Sequence, residues 1–152
     1  MYSTVLLSYI VSDYMDADLA TIIKINEKFD EESLKFIMYQ LMEGLRYIHA
    51  AEVVHRDIVL MEAMQKPRNL LINEEGFVKI CDFGLARPLL RDIKTKTSMV
   101  MTDYVTTRWY RAPEVLLGML DYQTSVDIWS AGCVFAEMLR KKPLLPGLDT
   151  FE

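Results

Sequence analysis

At 152 residues, 51% hydrophobic and 26% charged, the chain has the size and composition of one ordinary folded domain, which excludes an intrinsically disordered segment. A net charge of −5 and a pI near 5.1 leave no electrostatic footprint for nucleic acid or an anionic membrane surface. Two cysteines, Cys81 and Cys133, make no disulfide framework, fit a reducing compartment, and stand apart from any His/Cys cluster that would hold zinc.

Met1 to Val11 has neither the basic leader nor the small-residue cleavage site of a signal peptide. Val5 to Val11 is a β-rich apolar run and predicts one strand. Asp13 to Asp18 breaks the pattern as a short linker, and Leu19 to Ile25 predicts a short helix. Asp30 offers an N-cap, and Glu31 and Glu32 put negative charge in a first turn, where the helix dipole favours it. Leu34, Ile37, Met38, Leu41, Leu45 and Ile48 then recur at helical spacing, predicting an amphipathic helix to about His49. Leu70-Leu71-Ile72 and Phe77-Val78-Lys79-Ile80, joined through Asn73-Glu74-Glu75-Gly76, predict a hairpin. Residues 82–112 lack a steady period and are rich in Thr, Lys and Arg, which predicts a long exposed loop.

The last element starts near Thr124 or Ser125 and runs to about Lys141, before Pro143. It is apolar on nearly every face, yet it carries Asp127 and Glu137 and is too short to span a bilayer. Such a helix belongs inside a globular core. Little sequence follows Lys141 to cover it, so the chain is expected to be part of a larger domain.

Three tripeptides carry the chemistry: His55-Arg56-Asp57, Asp82-Phe83-Gly84 and Ala112-Pro113-Glu114, in that order. The first follows the long helix and the second closes the hairpin, and together they resemble the catalytic and activation segments of protein kinases. The resemblance implies an α+β, mainly helical, partial protein-kinase fold. Residues 1–16 would be a remnant small-lobe strand and hinge, and residues 17–152 part of the large lobe. It further implies ATP and Mg2+. Phosphoryl transfer depends on positioning and charge neutralisation more than on covalent chemistry. By the family pattern Asp57 orients the attacking hydroxyl, Asn69 and Asp82 hold magnesium, and Lys66 contacts the transferred phosphate.

Within that family the chain is similar to MAP kinases. The similarity runs through Tyr9 to Leu19, Tyr47 to Asp57, Thr102-Asp103-Tyr104, Val105 to Glu114 and Val126 to Cys133. It implies Ser/Thr transfer, before proline, in a cytoplasmic or nuclear signalling cascade, with protein substrates and an upstream dual-specificity MAP kinase kinase as partners and no nucleic acid or membrane. Thr102 and Tyr104 would be the activating phosphosites, with Arg56 and Arg87 pairing the phosphothreonine and Arg108 and Arg111 the phosphotyrosine. Arg108 and its neighbours would line the pocket that gives the proline preference. By the same resemblance Asp13 and Met15 fall on the adenine-binding hinge, Ser12 on the gate behind it, and Leu71 on the floor beneath the adenine, against the plainer reading of Met15 and Leu71 as core packing. Glu74-Glu75 resembles part of an acidic docking site, against the plainer reading of a charged turn. Cys81 reads as a small buried hydrophobe, although by the resemblance it would border the nucleotide pocket, and Asp127 resembles the aspartate that holds the catalytic loop by its amides.

The chain departs from the family in two ways. No glycine-rich loop and no Val-Ala-x-Lys strand precede Val5, and the family's C-terminal helices and common docking segment do not follow Leu145. In H-R-D-x-x-x-x-N the aspartate and asparagine stand five apart, whereas Asn69 stands twelve after Asp57. Removing Val59 to Gln65 restores the pattern. That segment is mostly apolar, unlike a solvated excursion, and it sits where small misplacements govern rate. A catalytic loop that does not work in this form is expected, and an intron read in frame would explain the segment. The competing class is a noncatalytic interaction module or a truncated gene product.

Overall fold

The computed structural model describes residues 9–25, 29–60, 69–89, 108–119 and 123–147. In chain order the elements are β1 (Ala17–Asp18), α1 (Leu19–Ile25), α2 (Glu31–Ala50), β2 (Val53–Val54), β3 (Leu70–Ile72), β4 (Val78–Ile80), β5 (Arg87–Pro88), α3 (Pro113–Leu116) and α4 (Ser125–Arg140). Single 3-10 turns occupy Phe83–Leu85 and Arg108–Tyr110.

Helix α2 begins where the sequence places it. The Asp30 carboxylate accepts from the Ser33 amide at 2.7 Å and from the Ser33 hydroxyl at 3.0 Å, satisfying a first-turn donor that has no partner inside the helix. The same two bonds hold the Asp30 carboxyl below its ordinary pKa. Ile37, Leu41, Leu45 and Ile48 turn inward, one every three or four residues. Ile37, Leu41 and Leu45 join Leu19, Ala20 and Ile23 of α1, Leu70 and Ile72 of β3, and Ala131, Cys133, Val134 and Met138 of α4 in one buried cluster.

β3 and β4 form the expected hairpin, paired antiparallel from Leu70 opposite Ile80 to Ile72 opposite Val78. The strand starts at Val78, one residue later than expected, because the turn takes Phe77: its amide donates to Asn73 Oδ1 at 2.8 Å and its carbonyl accepts from the Asn73 amide at 3.1 Å. Gly76 closes that turn at φ +83°, a region an L side chain rarely adopts. Gln40 of α2 clips the hairpin down, donating to the Gly76 carbonyl at 3.0 Å and accepting from the Val78 amide at 3.0 Å. β1 adds to the outer edge of β3, with Asp18 opposite Leu71.

Three expectations need correction. Of the strand Val5 to Val11, residues 5–8 lie outside the described residues. Tyr9, Ile10 and Val11 make no strand and are 83, 95 and 95% exposed. Apolar β-formers do not hold a strand without a partner, and no described element pairs with them. Residues 82–112 are not wholly loop: Arg87–Pro88 pair with Val53–Val54, and the two 3-10 turns flank residues 90–107, which lie outside the described residues. Helix α4 is not buried all round. Ile128, Trp129, Phe135 and Leu139 remain exposed among the described residues, because α2 and the Arg108–Tyr110 turn cover only the opposite side.

Candidate functional site

The site is assembled around the buried carboxylate of Asp127. Its Oδ2 accepts from the His55 amide at 2.8 Å and lies 2.8 Å from His49 Nε2, while its Oδ1 accepts from the Arg56 amide at 2.7 Å. A carboxylate buried at the start of α4 needs such donors to offset its desolvation. The donors in turn fix the backbone after β2. Arg56 sits at φ +71°, a left-handed conformation worth roughly 1–2 kcal/mol of strain for a side chain with a Cβ, which the two amide bonds offset.

His55 is fully buried and bridges the two motif segments. The Asp57 amide donates to Nδ1 at 3.3 Å, so Nε2 carries the proton and donates to the Cys81 carbonyl at 3.1 Å. The Phe83 ring meets the His55 ring edge-on, with centroids 4.9 Å apart. Burial lowers the His55 pKa, against the upward pulls of the Cys81 carbonyl and of Asp127, Asp57 and Asp82, and keeps the imidazole neutral near pH 7. Cys81 is half-buried and its thiol is pushed up by burial and by Asp82, so it stays a thiol and not a nucleophilic thiolate.

Asn69 completes the group. Its Nδ2 donates to the Asp57 carbonyl and to Asp57 Oδ2, each at 2.7 Å, across a span of twelve residues. Lengthening that span from five residues to twelve costs only about 1 kcal/mol of closure entropy. A hydrogen bond to a charged carboxylate contributes about 1.5–3 kcal/mol, so the clasp wins. Asn69 therefore still reaches Asp57 across the lengthened span. The Asn69 carbonyl also accepts from the Cys81 amide at 3.0 Å, tying the start of β3 to the residue before Asp82.

With Nδ2 spent on Asp57, the Asn69 side-chain oxygen Oδ1 is buried without a hydrogen-bond partner among the described residues. Asp82 stands in a left-handed conformation at φ 59°, ψ 76°, with Oδ1 accepting from the Gly84 amide at 3.1 Å. An amide oxygen and a carboxylate are the hard donors magnesium takes when phosphates supply the rest. Among the described residues no group of three or more His, Cys, Asp or Glu gathers that could hold a metal ion without such help. The residues present fit a cation shared with a phosphate ligand.

Other expected positions fall as follows. Asp13 is exposed and ion-paired with Lys79, which lowers its pKa, and the Glu74 amide donates to Asp16 Oδ2 at 2.9 Å. The segment carrying Asp13 and the half-buried Met15 is thus tied to the hairpin that carries the half-buried Leu71. Lys66, Thr102 and Tyr104 lie outside the described residues. Arg56 Nη1 donates to the Leu85 carbonyl at 3.4 Å and Arg87 Nη1 to the Ala86 carbonyl at 2.7 Å, and the β2–β5 pairing sets Arg87 opposite Val54, two residues before Arg56. Arg108 and Arg111 bracket a single turn, closed by the Arg111 amide donating to the Arg108 carbonyl at 3.0 Å.

Sequence reasoning passed over what anchors that turn. Tyr110 is buried, its hydroxyl bonds Glu137 Oε2, and its carbonyl accepts from Ser130 Oγ at 2.7 Å. The signal was present in the sequence: Ser130 and Glu137 are, like Asp127, polar positions in a mostly apolar helix, and buried polar groups require partners. Trp109 Nε1 adds a third tether, donating to the Gly147 carbonyl at 2.8 Å.

On the far side of the hairpin a cavity of about 450 Å³ opens between the start of α2 and the β3–β4 turn. Phe29, Phe36, Ile37 and Ile72 supply its apolar lining, and Asp30, Glu74 and Glu75 give it an acidic rim.

A model of the protein kinase domain matches residues 2–152. The chain is 48% identical over 141 residues to mitogen-activated protein kinase 5 of Oryza sativa subsp. indica and 49% identical over 141 residues to mitogen-activated protein kinase 3 of Arabidopsis thaliana. Each alignment covers 93% of this chain and 35% of the relative. Mitogen-activated protein kinase 6 of Arabidopsis thaliana is 49% identical over 141 residues, covering 93% of this chain and 32% of that protein. The chain therefore spans about a third of the length of the curated relatives it matches. No helix among the described residues is long and apolar enough to cross a membrane.

Proposed function

The chain belongs to the protein kinase family and is MAP-kinase-like in sequence, and on that premise we propose that it serves a full-length enzyme which transfers the γ-phosphate of ATP to Ser or Thr hydroxyls before proline. The observation that carries this reading is the state of Asn69: Nδ2 clasps Asp57 while Oδ1 is buried with no partner among the described residues. One side chain thus orients a carboxylate and offers an oxygen to a cation. In this proposal the Asp57 carboxylate accepts the proton of the attacking hydroxyl and holds that oxygen in line with the leaving group. Asn69 Oδ1 and Asp82 hold magnesium, which when bound neutralises charge on the phosphates. His55 stays neutral, passes no proton, and keeps the Asp57 and Asp82 segments in fixed relation.

Phosphorylation of Thr102 and Tyr104 by an upstream dual-specificity kinase is proposed as the switch, read by Arg56, Arg87, Arg108 and Arg111. Each phosphate adds nearly two negative charges, which arginines can order. The isolated 152-residue chain contains no glycine-rich loop and no Val-Ala-x-Lys strand, and we propose that alone it neither binds Mg-ATP nor transfers phosphate. A thermal shift with Mg-ATP tests this, since a ligand that binds the folded state must raise its melting temperature. The full-length protein is expected to shift and the isolated chain not to. A full-length protein that does not shift overturns the reading in favour of a noncatalytic module.

The acidic cavity beside the hairpin supports a second element, docking of a partner. Its apolar floor and rim of Asp30, Glu74 and Glu75 suit a peptide that presents apolar side chains next to Lys or Arg.

A further inference from the structure

We infer that Leu60, with Val59 beside it, is a positioning residue: it anchors the lengthened loop so that Asn69 meets Asp57. Both belong to the seven additional residues, yet both are buried in the main core cluster, Val59 at 8% and Leu60 at 0% exposure, next to the fully buried Ile58. A solvated excursion beginning at Val59 would leave these side chains in water. Here the chain follows the core for two residues into the additional segment. The other end of the span is equally fixed, by Asn69 itself, 1% exposed, and by Leu70 at 0%. Residues 61–68 lie outside the described residues, and the inference rests only on the two buried ends.

The physical consequence concerns precision. Closure entropy changes slowly with length, so a longer loop is permitted, but nothing in that entropy sets where its ends sit. Apolar burial does, because a packed side chain has few rotamers and its backbone moves with it. The inference rests on reading the Asp57–Asn69 pair as the working one, but its test does not depend on nucleotide binding.

The test observes the Asn69 side-chain amide directly by 15N NMR of the 152-residue chain, following exchange of its Nδ2 protons with solvent. Leu60→Ala is compared with Leu41→Ala, a truncation at an equally buried position of α2, each well below its own melting temperature. Leu60→Ala is expected to speed Asn69 exchange by about tenfold or more over Leu41→Ala, because it opens the loop locally and not the core at large. Leu60→Met, which keeps apolar volume, is expected to restore the wild-type rate. Equal rates in Leu60→Ala and Leu41→Ala overturn the inference. If Leu60→Ala does not fold, Val59→Thr carries the comparison, with faster Asn69 exchange expected and an unchanged rate overturning it. Loss of the Mg-ATP shift in the full-length protein would count against the proposed function and leave this result standing.

Discussion

Asn69 donates twice to Asp57, to its carbonyl and to its carboxylate, each at 2.7 Å. The pair is formed although twelve residues separate the two positions where five are usual in kinases. Replacing Asn69 by Ala removes the clasp and the unpartnered Oδ1 together. Urea denaturation is expected to show a loss of about 1–3 kcal/mol for the unpaired Asp57 carbonyl. Mn2+ titration of the nucleotide-bound full-length protein is expected to show an affinity about 10–100-fold weaker. Unchanged Mn2+ affinity would remove Asn69 from the metal site.

Asp127 holds the His55–Arg56 segment by two main-chain amides and meets His49 with the same carboxylate. Asp127→Ala strands the amides of His55 and Arg56 in the interior, at about 1–3 kcal/mol each. Asp127→Asn retains one acceptor and is expected to lose about 1–3 kcal/mol. The urea midpoint measures both, with the slope unchanged if only the folded state is affected. A variant as stable as the parent would mean that the loop is held elsewhere.

The pH dependence of stability follows from His55. Its folded pKa lies below the ordinary imidazole value of 6.5 because burial disfavours the cation. As pH falls below 6.5, the unfolded chain takes up a proton that the folded chain refuses, so the unfolded state binds more protons and stability drops. Its contribution is complete above that value and declines as the medium acidifies toward the folded pKa. Melting temperatures between about pH 7.5 and about pH 5.5 are expected to decline with acidification, and His55→Phe is expected to flatten that decline. An equal slope in both proteins would contradict the buried neutral imidazole.

The acidic rim of the cavity predicts a charge-dependent partner. Glu74→Lys together with Glu75→Lys is expected to weaken binding of a peptide with Lys or Arg beside apolar residues by about tenfold at low salt, and by less at high salt, where exposed charges are screened. Isothermal titration at two ionic strengths checks this. Binding indifferent to both the charge reversal and the salt would dismiss the cavity as a docking place.

The positions of the two long helices were legible because their physics is local, although α4, read as apolar and buried on nearly every face, leaves Ile128, Trp129, Phe135 and Leu139 exposed. Asp30 and the inward row from Ile37 to Ile48 announce α2 from period and capping alone. The two-residue strands β1, β2 and β5 left no trace, since two residues define no period and their pairing is decided by distant chain. Tyr9 to Val11 has strand composition without a strand, for want of a neighbour. At the site, Asp57 and Asp82 could be named from their tripeptides, and Asn69 only by setting aside Val59 to Gln65, since its own spacing departs from the motif. The bonds that hold them were only partly readable. Asp127 could be placed by resemblance, whereas the seating of Tyr110 on Ser130 and Glu137 depends on which helix packs behind the turn.

The most direct measurement is transfer of labelled γ-phosphate from Mg-ATP to a Ser-Pro or Thr-Pro peptide by the full-length, doubly phosphorylated protein, beside its Asp57→Asn variant. Turnover in the parent that falls by about 10²–10⁴-fold in the variant is the predicted result. Equal turnover in the two, or none in a parent that demonstrably binds Mg-ATP, would contradict it.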